Sequence, residues 1–96
     1  SHSLISAGSE VTESLISRSV LGFECRIYAG CTIKDSVLLG ETKIGAGCRL
    51  SRCIIDKHVE IASGTVLGED PEKDRDRYST SRNGIIVIPK GSRVGF

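Results

Sequence analysis

One internal histidine, four cysteines and a scatter of basic residues are what this chain offers for chemistry. His58 is flanked by Asp56 and Glu60, the carboxylates nearest along the chain that could orient its ring if the imidazole served as a general base. His2 lies at the very start, and a single internal histidine cannot furnish the three imidazole ligands of a histidine-bound zinc centre. Lys57, Arg52, Arg82, Lys90 and Arg93 could surround an anion, phosphate being the usual one for such a group, although composition alone favours solvated surface charges. Cys25, Cys31, Cys48 and Cys53 invite a disulfide or metal reading. The chain contains no Gly-rich phosphate loop between a strand and a helix, and no Ser/His/Asp set worth assigning.

What must position these residues is a repeat. Aliphatic residues recur at Ile5, Val11, Ile16, Leu21, Ile27, Ile33, Leu38, Ile44, Leu50, Ile55, Ile61 and Leu67, in steps of five or six. Three steps make a unit of about 17 residues, visible when Ile27-Tyr-Ala-Gly-Cys-Thr-Ile33 is laid on Ile44-Gly-Ala-Gly-Cys-Arg-Leu50 and Ile61-Ala-Ser-Gly-Thr-Val-Leu67. An amphipathic helix would need apolar residues at i, i+3, i+4 and i+7, so this spacing gives a helix no face. A β-meander would need longer alternating runs and hairpin turns, and no Asn-Gly turn stands inside the repeat.

Two residues before every rung stands a small side chain: Ser3, Ser9, Ser14, Ser19, Cys25, Cys31, Ser36, Thr42, Cys48, Cys53, Val59 and Thr65. Alternate residues of a strand face the same way, so each short strand turns one large and one small side chain inward. Gly8, Gly30, Gly47 and Gly64 follow rungs by three residues, where the chain turns a corner. The pattern predicts a three-sided parallel β-helix of nearly four coils, with three aliphatic columns inside. Burying each rung contributes roughly 1.5–3 kcal/mol gross, much of it offset by chain ordering. All four cysteines occupy inward small positions, Cys31 and Cys48 in one column, which favours reduced packing thiols over a Cys31–Cys48 bridge. Reduced thiols in turn point to a cytoplasmic protein. The end coils need a cap or a partner.

Ninety-six residues allow one domain. Thirteen basic against twelve acidic residues, with four aromatics, make no nucleic-acid footprint, and no apolar run is long enough for a membrane span. Residues 1–3 read as an expression scar or linker end, residues 4–68 as the β-helix and residues 69–96 as a cap. The start in mid-coil at Leu4-Ile5 reads as a cut from something larger. After Leu67, Asp70 is placed as the N-cap of a short helix with Pro71 at its first position, and the charges from Lys73 to Arg77 as a solvated helix face. Ser79 to Gly84 reads as a polar loop and Ile85–Ile88 as a terminal strand, the whole tail folding back over the last coil.

Three segments carry a resemblance: Ser51-Arg-Cys-Ile-Ile-Asp-Lys57, the run Ile61-Ala-Ser-Gly-Thr-Val-Leu-Gly-Glu-Asp70, and Asn83-Gly-Ile-Ile-Val-Ile-Pro-Lys90. Together, over about Leu4 to Lys90, the chain resembles the C-terminal β-helix domain of the glucose-1-phosphate adenylyltransferase (ADP-glucose pyrophosphorylase) family. The charged segment ending in an aromatic and followed by Gly-Ile-Ile-Val-Ile is the specific part; hexapeptide repeats alone are shared with many acyltransferases.

The resemblance implies a left-handed β-helix, an exception to right-handed crossovers, attached to a nucleotidyltransferase domain that makes ADP-glucose and pyrophosphate from ATP and glucose 1-phosphate. It implies that catalysis, with its Mg2+, belongs to that other domain, and that this part is inactive alone and holds no cofactor. It further implies subunit contacts in a homotetramer and a share in an allosteric site for phosphorylated effectors. Lys57 and Lys90 match basic positions that contact the effector phosphate in the family, and Arg93 lies close to a third. The alternative is a free-standing hexapeptide acyltransferase using His58, which lacks a protruding loop to hold an acyl carrier.

Overall fold

The computed structural model describes residues 2–96, and these form a parallel β-solenoid with one short helix. Each of the first four coils lays down three strands of two or three residues, and each of these pairs with the strand one coil away. The first side stacks Leu4–Ile5, Val20–Leu21, Val37–Leu38, Cys53–Ile55 and Ile86–Ile88. The second stacks Glu10–Val11, Arg26–Ile27, Lys43–Ile44, Glu60–Ile61 and Arg93–Val94, and the third Leu15–Ser17, Thr32–Lys34, Arg49–Ser51 and Val66–Leu67.

Register follows the aliphatic rungs. Ile5, Leu21, Leu38, Ile55 and Ile88 are successive Cα partners on the first side, and Val11, Ile27, Ile44, Ile61 and Val94 on the second. A slip by one residue would turn every rung outward, so the buried column fixes the pairing. From Leu21 to Leu67 the rungs are at most 2% exposed, whereas Ile5 in the first coil is 47% exposed.

The small inward residues have a second task. Ser19 Oγ accepts from the Ser36 amide at 3.1 Å and donates to the Ser17 carbonyl at 2.8 Å; one coil on, Ser36 Oγ accepts from the Cys53 amide and donates to the Lys34 carbonyl. Hydroxyls thus serve backbone groups that the short strands leave over at the corners. The four cysteines are free and buried, and Cys31 and Cys48 sit in adjacent coils of the third side with their thiols on the Gly45 and Ala62 carbonyls.

Corners are less demanding of glycine than the sequence implies. Gly8, Gly30, Gly47 and Gly64 all have φ between 71° and 79°, the last three at the corner after the second side, but Gly8 shares the corner after the first side with Glu24, Glu41 and His58 at φ 58°, 50° and 58°. The corner after the third side carries Arg18, Asp35 and Arg52, also at positive φ.

The tail differs from a simple fold-back. The helix Pro71–Arg77 has Asp70 as N-cap and Pro71 in its first turn, as its sequence predicts. Its charges are not all solvated: Asp74 is only 6% exposed, and its Oδ2 accepts from the Gly68 amide at 3.0 Å. Ser79–Thr80 is not loop but a strand antiparallel to Ile86–Ile88. Ile86–Ile88 and Arg93–Val94 then resume the solenoid in parallel register on Cys53–Ile55 and Glu60–Ile61, forming two sides of a fifth coil. The third sheet ends at Val66–Leu67, yet Leu67 is fully buried and Tyr78, just past the helix, packs on the core.

Candidate functional site

The register brings Lys57 and Lys90 together. Ile55 is the Cα partner of Ile88, and each lysine follows its isoleucine by two residues at the same corner of successive coils. The Asp56 amide donates to the Ile88 carbonyl at 3.0 Å and the Gly91 amide to the Lys57 carbonyl at 3.0 Å, so the corners are tied back to back. Asp56 Oδ1 takes the Lys57 amide at 2.7 Å, and Ser92 Oγ donates to the Pro89 carbonyl at 2.6 Å, which fixes each turn locally. Both side chains are exposed, and among the described residues neither ammonium is in an ion pair. Stacked coils are about 4.8 Å apart, so two flexible lysines rooted on them can close on one phosphate.

Arg93 stands apart from this pair in its engagements. It lies on the second side as the register partner of Glu60, with Nε 3.5 Å from Glu60 Oε2 and its guanidinium 4.2 Å from the Phe96 ring centroid. A cation so placed is partly spent on a carboxylate and an aromatic face.

His58 finds a different orienting group from the two its sequence neighbourhood offers. Neither Asp56 nor Glu60 holds it; Nδ1 lies 3.0 Å from Oε2 of Glu41, the residue at the same corner one coil earlier. In a neutral ring, Nδ1–H on a carboxylate leaves Nε2 as the acceptor. The pair opens on a broad, shallow depression lined also by Glu24, Arg26, Lys43 and Glu60.

At the other end of the first side, Arg52 and Arg82 meet in a separate cleft, joined by Arg75 of the helix. The five basic residues that could have formed one anion site are therefore divided among the two ends of the first side and the face of the second. Arg75 escapes notice in the sequence because it sits in a run of alternating charges. Among the described residues no group of three or more His, Cys, Asp or Glu could hold a metal ion. Among the described residues no helix is long and apolar enough to cross a membrane.

Stacked strands of two or three residues, inward small residues and positive-φ corners define a hexapeptide-repeat β-solenoid. A family model described as GlmU-like, C-terminal hexapeptide matches residues 1–88, and the chain belongs to that family. It is 47% identical over 93 residues to the glucose-1-phosphate adenylyltransferase of Photobacterium profundum, covering 97% of this chain and 23% of that protein. It is 49% identical over 94 residues to the enzyme of that name in Aliivibrio fischeri, with 98% and 23% covered. For the one in Dechloromonas aromatica the figures are 38% over 86 residues, with 90% and 20% covered. The chain thus spans about a quarter of the length of these relatives.

Proposed function

We propose that this chain is the C-terminal oligomerisation and allosteric domain of a glucose-1-phosphate adenylyltransferase, an enzyme joining ATP and glucose 1-phosphate into ADP-glucose and pyrophosphate for glycogen or starch synthesis. The names of the relatives support the parent activity, and the stacking of Lys57 on Lys90 carries the regulatory reading. Two cations rooted on adjacent coils and free of carboxylates form a receptor for an effector phosphate. Binding there would couple to turnover through contacts with the nucleotidyltransferase domain of the parent, where Mg2+ and catalysis belong. A first side exposing Leu4, Val20, Ile54 and Val87 suits contacts among the subunits of a tetramer. The parent enzyme is read as cytoplasmic, in keeping with four free buried thiols.

The test is made in the complete enzyme. Lys57→Ala and Lys90→Ala are each expected to raise the effector concentration for half-activation about tenfold, with turnover in the absence of effector nearly intact. Unchanged activation in both variants would overturn the assignment.

A second reading, acyl transfer with His58 as general base, has one observation in its favour, the Glu41 carboxylate on Nδ1. It predicts acyl-CoA-dependent transfer by a trimer, abolished in His58→Ala; absence of such transfer removes it.

A further inference from the structure

Arginines on the faces and corners of the solenoid are mostly matched to acids. Arg18 pairs with Asp35 at 2.6 Å, Arg26 with Glu10 at 3.9 Å, Arg49 with Glu69 at 2.7 Å and Arg93 with Glu60 at 3.5 Å. Among the described residues the other four, Arg52, Arg75, Arg77 and Arg82, are in no ion pair, and three of these four line one cleft.

The three come from separate elements. Arg52 stands at a corner stacked over Asp35, but both Asp35 oxygens are held by Arg18, at 2.6 and 3.2 Å. Arg52 instead reaches toward the loop, its Nη1 3.9 Å from the place a Cβ on Gly84 would take. Arg75 comes from the helix and Arg82 from the turn between Ser81 and Gly84. That turn is fastened: the Ser81 amide donates to the Ile85 carbonyl at 2.8 Å, the Ile85 amide to Ser81 Oγ at 3.0 Å, and the Ile86 amide to the Arg52 carbonyl at 3.0 Å. The cations therefore stand on a hydrogen-bonded backbone frame that fixes where their side chains start.

Their charge is not balanced within the cleft. Among the described residues its one carboxylate is Asp74, buried with Oδ2 on the Gly68 amide, so three guanidinium groups face a single acid. Three guanidinium groups held together repel one another, and an anion among them reverses the sign of that interaction. Three planar forks offer more donors than the two oxygens of a carboxylate can accept, whereas a phosphate presents three or four oxygens. The cleft measures about 280 Å³, at the small end for ligand sites, which suits one phosphate and a short carbon skeleton.

We propose that this cleft binds a phosphate-bearing small ligand, held by Arg52, Arg75 and Arg82 at the joint between the helical insertion and the fifth coil. The site is distinct from the Lys57 and Lys90 corner and does not depend on the function proposed above.

Titration of the chain with inorganic phosphate, and separately with glucose 6-phosphate, at constant ionic strength and followed by amide NMR, tests it. Saturable shifts are expected at Arg75, Ser81 and Gly84. Arg75→Gln and Arg82→Gln, both outside the coils, should each weaken them about tenfold. A Lys57→Gln, Lys90→Gln double variant should leave them in place. Tighter binding of glucose 6-phosphate identifies an organic phosphate as the ligand, and equal binding identifies free phosphate. Equal shifts with chloride, no saturation, wild-type binding in both well-folded arginine variants, or loss of the shifts in the lysine variant would each overturn the proposal.

Discussion

The buried carboxylate of Asp74 and the amide of Gly68 are joined at 3.0 Å, and this bond fastens the helix to the last complete coil. An acid that binds from inside the helix to the residue where the solenoid breaks off sets where the insertion lies. Asp74→Ala leaves that amide without its partner and should cost about 2 kcal/mol, the range for hydrogen bonds to charged groups. Asp74→Asn keeps an acceptor and should cost less. Urea denaturation of the two variants measures both; equal losses, or none, would contradict this role.

Burial pushes the Cys53 thiol up to about 12 from an ordinary value of 9.0, with the Asp74 charge acting in the same direction. The native thiol should therefore resist iodoacetamide at pH 8 and react at the rate set by unfolding. The unfolded chain releases this proton near 9 and the native one near 12, so the native state holds more protons in between. Its contribution is complete below the unfolded value, and stability should fall as pH rises through that window. In Cys53→Ser this component of the alkaline loss should disappear, as read from denaturation midpoints between pH 8 and 11.

Thr42 is fully buried between Cys25 and Val59 of its column, and its hydroxyl is the one buried side-chain oxygen or nitrogen among the described residues with no hydrogen-bond partner. An unsatisfied hydroxyl costs about 1–3 kcal/mol. Thr42→Val, which keeps the shape, should stabilise by about 1 kcal/mol and raise Tm by about 4–8 °C in a domain of this size. Thr42→Ser retains the hydroxyl, loses a methyl and should lower Tm.

Gly47 and Gly68 both have positive φ, at 71° and 93°, but only Gly68 is crowded. A Cβ on Gly47 meets nothing within 4 Å, so Gly47→Ala bears backbone strain alone, about 1–2 kcal/mol. A Cβ on Gly68 would collide with the Ser51 carbonyl oxygen, and backbone there cannot move aside as a flexible side chain could. Gly68→Ala should lose several times as much stability in thermal melts, and a similar loss in both variants would refute the difference.

The solenoid is legible in the sequence because its pattern is carried by side-chain size, and size decides what fits a narrow prism. Rung and small residue repeat from Ile5 to Leu67 without a break, and the columns follow. The fifth coil is harder to read. Ile55 and Ile88 are 33 residues apart where Leu38 and Ile55 are 17, because the helix and the antiparallel strand intervene. Its signals are nevertheless present, with Gly91 three residues after Ile88 and Ser92 two before Val94. The His58 partner is missed for a related reason: in a solenoid the neighbours that matter lie a coil away, so Glu41 counts for more than Glu60. The stacking of Lys57 on Lys90 becomes visible only once Ile88 is placed on Ile55.

That pairing turns the chain into a lattice in which a position is specified by its column and its coil rather than by its number. Glu24, Glu41 and His58 differ in chemistry but share one backbone state, φ between 50° and 58°. The corner therefore acts as a socket whose conformation is set by the stack and whose outward side chain is a carboxylate in two coils and an imidazole in the third. A charge or a metal ligand can be introduced there at a chosen height for the strain of a left-handed residue, and two such groups come to lie about 5 Å apart simply by occupying one column.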